Sequence, residues 1–172
     1  MIVKTKIREE LNRVTSELLD TLTNISPEIF FLKPDENSWS IGEITDHLIK
    51  IETLTFQVIQ NARLSTTHRK PDEKIKYIRD TLMNFDKMLS AGGPILPDHQ
   101  INNKDELIYK LKEIRQSLIN FIPKNDLSIR CEIFEHQLFG KLTRIEWLYY
   151  VVYHSERHLN QINKVKEALV AK

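Results

Sequence analysis

Apolar residues recur at steps of three and four along most of this chain, a spacing that predicts helices rather than strands. Ile7, Leu11, Val14, Leu18, Leu22 and Ile25 form one stripe, and with it a first helix near residues 2–24 that Ser26-Pro27 ends or turns. Ser40-Ile41-Gly42-Glu43 reads as a capping box, in which serine and glutamate satisfy each other's free amides. It opens a second helix with Ile44, Leu48, Ile51 and Val58 inward and Leu54 beside them. A third begins at Asn103, with Glu106 three residues on, buries Leu107, Leu111, Ile114, Leu118 and Ile122, and is expected to stop at Pro123. Thr143 and Glu146 open the last, whose inward stripe includes Val151, Ile162, Val165 and Leu169.

The stretch from Arg63 to Asn103 is different, holding Pro71, Pro94, Pro97 and the Gly92-Gly93 pair. It predicts a long crossover with one shorter helix near Asp72–Leu89 that turns Ile75, Ile78, Leu82, Phe85 and Leu89 inward. No alternating strand pattern of useful length and no internal repeat is present. The fold class expected is all-α: a four-helix bundle with a long crossover between helices 2 and 3 carrying a short extra helix, as a single domain over residues 1–172. Helices of some 20 residues are ~30 Å long, enough to share one core.

Composition then removes several classes of function. Lys+Arg is 25 and Asp+Glu 24, a balance that gives no reason to expect nucleic acid or an anionic membrane as partner. The four glycines make no dinucleotide-binding or P-loop motif. A single cysteine, Cys131, excludes an internal disulfide and cysteine-rich metal sites, and with only Arg130 as a basic neighbour it reads as an inert thiol. No apolar run is long enough to span a bilayer, and the N-terminus MIVKTKIREE lacks an apolar signal core, so the expected address is the cytoplasm.

The candidate chemistry lies in the histidines. His154 and His158 are four residues apart, on one face of the last helix and on its core stripe. His47 lies three residues after Ile44 and four before Ile51, again inward. An unpaired imidazole on an apolar stripe costs ~1–3 kcal/mol, so each needs a partner. Ordinary hydrogen bonds would serve, and for one histidine alone they are the commoner answer. Three on the inward faces of two helices favour a shared divalent cation. Other metal motifs fail: Ser155 stands where a zinc-protease motif needs glutamate, and no histidine has a glutamate three residues before it. His68, His99 and Glu156 read as solvated and His136 as a loop residue. Trp39 and Trp147 read as packing residues, and Gln161 either holds His158 or faces a neighbouring helix.

Three segments carry a resemblance. Trp39-Ser40-Ile41-Gly42-Glu43 with Asp46-His47-Leu48 resembles the opening of the second helix in the DinB-like superfamily. Phe139-Gly140-Lys141-Leu142-Thr143 is similar to its F-G-x-L-T segment, and Tyr153-His154, Arg157-His158 and Gln161-Ile162 are similar to its H-x-x-R-H-x-x-Q-I signature. One departure is Gln137, where the family often has proline after the histidine. The resemblance covers most of the chain. It implies a bundle whose triad, at His47, His154 and His158, binds zinc or nickel, and it implies homodimers. Some relatives use low-molecular-weight thiols, as bacillithiol S-transferases and mycothiol-dependent isomerases do. The expectation is therefore a divalent-metal-binding protein acting as a metal-dependent thiol S-transferase, with bacillithiol or a similar thiol as partner. A related hydrolase and a non-catalytic, stress-related dimeric bundle stand beside it. Ile29, Phe30 and Phe31 are the candidate apolar contact surface.

Overall fold

The computed structural model describes residues 2–61, 65, 68–87, 89 and 92–170; Arg63, the expected start of the crossover, lies outside them. Four long helices, α1 (Ile2–Thr23), α3 (Ile41–Gln60), α5 (Lys104–Lys124) and α6 (Arg144–Val170), are joined by two short ones, α2 (Pro27–Phe31) and α4 (Ile75–Leu82), with a 3-10 turn at Gly93–Ile95. Among the described residues there is no strand, only isolated bridges such as His136 with Gly140.

The predicted caps set the helix starts. Ser40 Oγ accepts from the Glu43 amide at 3.2 Å while Glu43 Oε2 accepts from the Ser40 amide at 2.8 Å. Thr143 and Glu146 repeat this at α6, where Glu146 also takes a bidentate ion pair from Arg69 and the Lys74 amide, anchoring the crossover. Asn103 caps α5, which runs one residue past Pro123; the proline has no amide hydrogen to give the Ile119 carbonyl, and the helix ends at Lys124.

Two expectations need correction. The crossover helix is shorter than Asp72–Leu89: it ends at Leu82, and Phe85 is exposed rather than inward. From the end of α4 the carbonyls of Leu82, Asn84 and Lys87 accept from Arg157 of α6, which holds the chain as a loop. Nor are Ile29, Phe30 and Phe31 a free apolar surface: Phe30 is fully buried and its neighbours pack against the core. α2 sits so close to α3 that a Cβ on Gly42 would lie 2.8 Å from Phe31 Cδ1. Gly42→Ala is therefore expected to destabilise by about 1–3 kcal/mol, read as a lower urea midpoint.

The core is divided. One cluster joins Ile7, Leu11 and Val14 of α1 with Val58 of α3, Leu118 of α5 and Leu148 of α6. The other joins Leu18 and Leu22 of α1 with Ile44 of α3, Leu111 of α5 and Ile162 of α6. These partners fix the directions: α1 and α6 run one way, α3 and α5 the other. Lys4 reaching the Pro123 carbonyl and Lys104 reaching that of Thr23 mark the antiparallel pairing of α1 with α5. Since α3 and α5 are parallel, the chain must return the length of the bundle between them, which is what the long crossover does.

A buried polar belt lies between the two clusters: His47 and Glu52 on α3, Arg115 on α5, His154, Ser155 and His158 on α6. Arg115 and Glu52 are each 1% exposed. The guanidinium donates to both Glu52 oxygens, from Nε at 2.6 Å and Nη2 at 2.5 Å, and also to Ser155 Oγ and, at 3.3 Å, to Thr15 Oγ1 of α1.

Candidate metal centre

His47 enters from the second turn of α3, and His154 and His158 from successive turns of α6, whose antiparallel packing brings the three side chains to one place. Ring centroids are 5.4 Å apart for His47–His154, 5.0 Å for His47–His158 and 4.4 Å for His154–His158. One nitrogen from each lies within 4.8 Å of those of the other two, and all three residues are buried.

Outer partners aim two of the rings. His47 Nδ1 donates to the Ile95 carbonyl at 2.7 Å, so its proton sits on Nδ1 and the lone pair on Nε2. His158 Nδ1 is held the same way by Gln161 Oε1 at 2.8 Å, one of the two roles open to Gln161 in the sequence. His158 Nε2 and His154 Nε2 face each other at 3.2 Å. Two nitrogens on a tetrahedral zinc, with bonds of ~2.0–2.1 Å, would lie about 3.3 Å apart. His154 stacks on Tyr150 at 5.2 Å, and its buried Nδ1 has no hydrogen-bond partner among the described residues. Trp39, 5.0 Å from the His47 ring, walls the other side. The set fits a divalent ion: neutral nitrogen donors, two of them oriented, two already at coordination spacing. Gln161→Leu removes the acceptor behind His158 and is expected to weaken Zn²⁺ binding about 10–100-fold, measured by chelator competition.

The rings are electrically prepared for a cation. Burial lowers the pKa of His47, lowers that of His154 well below the usual value with help from His158 and His47, and takes His158 down to about 3. Metal ligands must be neutral imidazoles, and these stay so. The same shifts weaken the metal-free fold in acid. A histidine that titrates near 6.5 when unfolded and only near 3 when folded binds more protons in the unfolded chain at every pH between. Its stability contribution is complete above about pH 6.5 and is lost as the pH falls towards the folded value; the loss reaches about 2 kcal/mol by pH 5. The thermal midpoint of metal-free protein is thus expected to drop clearly from pH 7 to pH 5 in calorimetry; a flat profile contradicts it.

The remaining candidates fall elsewhere. His68 is exposed, and His99 is exposed but pairs with Glu43. Glu156 is not freely solvated; it is half-buried and pairs with Arg13. His136 braces a turn closed by Gly140 at φ 65°, where its Nδ1 accepts from the Leu138 amide, and burial lowers its pKa to about 4. Its ring lies 5.0 Å from Tyr150, one aromatic ring away from the triad. Burial raises the Cys131 thiol to about 12, which leaves it unreactive. Trp147 packs in the core.

The sequence reading missed Arg115, Glu52 and Ser155. The signal was present: each occupies an inward stripe position, four residues after Leu111, Leu48 and Val151 respectively.

A helical bundle with an inward histidine triad is the class of protein these features define. Residues 10–162 match the family model of the DinB superfamily, and the chain belongs to that superfamily. The uncharacterised protein YuaE of Bacillus subtilis strain 168 is 26% identical over 162 residues, 92% of this chain and 96% of its own. Among solved structures, YfiT from Bacillus subtilis superimposes with a TM-score of 0.64 at 12% identity, over 96% of this chain and 87% of its own. YfiT is described as "a probable metal-dependent hydrolase with an unusual four-helix bundle topology". Among the described residues, no helix is long and apolar enough to cross a membrane.

Proposed function

We propose that the chain is a divalent-metal protein, holding zinc or nickel on His47, His154 and His158, and that it acts as a metal-dependent thiol S-transferase. The observation that carries the reading is the convergence of three buried, neutral imidazoles on one point. Three protein ligands leave a four-coordinate ion one free position, where it lowers the pKa of a water or thiol and so supplies a nucleophile. The residues around it bind and exclude. Gln161 and the Ile95 carbonyl hold two rings in register, while Trp39 and Tyr150 wall the triad with apolar surface. The thiol partner is a low-molecular-weight thiol such as bacillithiol, by likeness to DinB-like transferases. The setting is the cytoplasm, where such thiols stay reduced, and the assembly a homodimer. A second reading, hydrolysis, is favoured by the description of YfiT.

One experiment separates them. Metal-free protein is loaded with Zn²⁺ or Ni²⁺ and offered bacillithiol with a panel of electrophiles, and separately a panel of esters, amides and phosphoesters. Metal-dependent thiol consumption, lost in His154→Ala, is the result expected. Ester or amide cleavage without thiol consumption replaces the transferase by the hydrolase. Stoichiometric metal with neither reaction leaves a non-catalytic metal-binding bundle, and failure to bind metal overturns the reading.

A further inference from the structure

Arg115 makes no hydrogen bond to any of the three histidines, yet from α5 it joins the other three long helices at their level. Glu52, which accepts two of its charge-assisted bonds, stands five residues beyond His47 on α3. Ser155, which takes a third, directly follows His154 on α6 and donates its own proton to the Val151 carbonyl. Glu52, the guanidinium and Ser155 thus form a continuous polar bridge between the two helices that carry the triad. A guanidinium suits such a bridge because its donors project in a rigid, planar fork. Stability alone is a poor reason for it, since well-packed apolar residues of equal volume usually serve a core as well or better than a buried ion pair. Here the pair interrupts a core that is apolar on both sides.

We propose that Arg115 is a positioning residue of the metal centre: by tying Glu52 of α3 and Ser155 of α6 to one rigid plane, it sets the helix separation at which the His47, His154 and His158 nitrogens share a single ion. The proposal rests on the metal-centre reading above.

The test uses Co²⁺, whose visible spectrum reports coordination geometry, with Zn²⁺ competition for affinity. The variants are Glu52→Leu with Arg115→Met, which removes both charges at similar volume, and Ser155→Ala, which cuts only the α6 end of the bridge. Far-UV circular dichroism and urea unfolding establish that each is folded. The double variant is expected to bind Co²⁺ about tenfold or more weakly, with an altered band intensity, and Ser155→Ala to shift the same way by less. A cooperatively folded double variant with the wild-type Kd and spectrum overturns the proposal. Should the double variant not fold, Ser155→Ala decides: an unchanged Kd and spectrum overturn it. Wild-type protein that binds neither metal overturns the metal-centre reading and this inference with it. Wild-type binding that the variants leave untouched overturns the inference alone.

Discussion

His154→Ala should weaken Zn²⁺ or Ni²⁺ binding by more than about a hundredfold, while His68→Ala leaves it unchanged. His154 Nε2 lies 3.2 Å from His158 Nε2, so its removal strips one of two donors already at coordination spacing and leaves two ligands for an ion that needs three or four. His68 is exposed on the crossover and outside the triad. Stability with and without metal separates a ligand from an ordinary core histidine. Truncating an ordinary core histidine costs the same with and without metal, whereas truncating His154 costs the metal-free protein its packing and the 3.2 Å Nε2 contact with His158, and the metal-loaded protein the stabilisation by the ion as well. Competition titration against a chromophoric chelator measures the first effect and calorimetry the second. Equal metal affinities in the two variants would contradict the assignment.

Arg115→Ala is expected to be the most damaging single change to the fold, at about 3–5 kcal/mol, because it leaves the Glu52 carboxylate buried without its counter-ion. Burial already pushes the Glu52 carboxyl up, and Arg115 is what opposes it. For a chain of this size the loss corresponds to a fall of roughly 10 °C in the melting midpoint. Glu52→Leu together with Arg115→Met should restore most of the midpoint, since no charge is then stranded. A double variant as unstable as Arg115→Ala would mean that the ion pair itself, rather than the stranded carboxylate, sets the cost.

Much of this was legible in the residues. The stripes of α1, α3 and α5 were readable because a helix facing one core shows its period directly: every residue of the α1 stripe, from Ile7 to Ile25, is buried. The triad was readable for the same reason, as polar residues at inward positions. Local caps such as Ser40–Glu43 and Thr143–Glu146 need only a few neighbouring residues, so they too survive into the structure. What failed depended on distant parts of the chain. Phe85 fits the period of α4, but Arg157 draws the carbonyls around it into a loop. Phe30 looks like surface on a short segment until Gly42 lets α2 settle on α3. Arg115 and Glu52 carry opposite charges 63 residues apart, and only the packing of α3 against α5 shows that they meet.

The parallel run of α3 and α5 also has a kinetic consequence. An up-and-down bundle closes through short hairpins, so most of its contacts are local and it folds quickly. Here neighbouring helices are separated by a crossover that must travel the length of the molecule, and its closure entropy is lost before the contacts between them form. Refolding should therefore be slower than for a hairpin-connected bundle of equal length and stability, and the delay belongs to the connectivity rather than to the strength of the core.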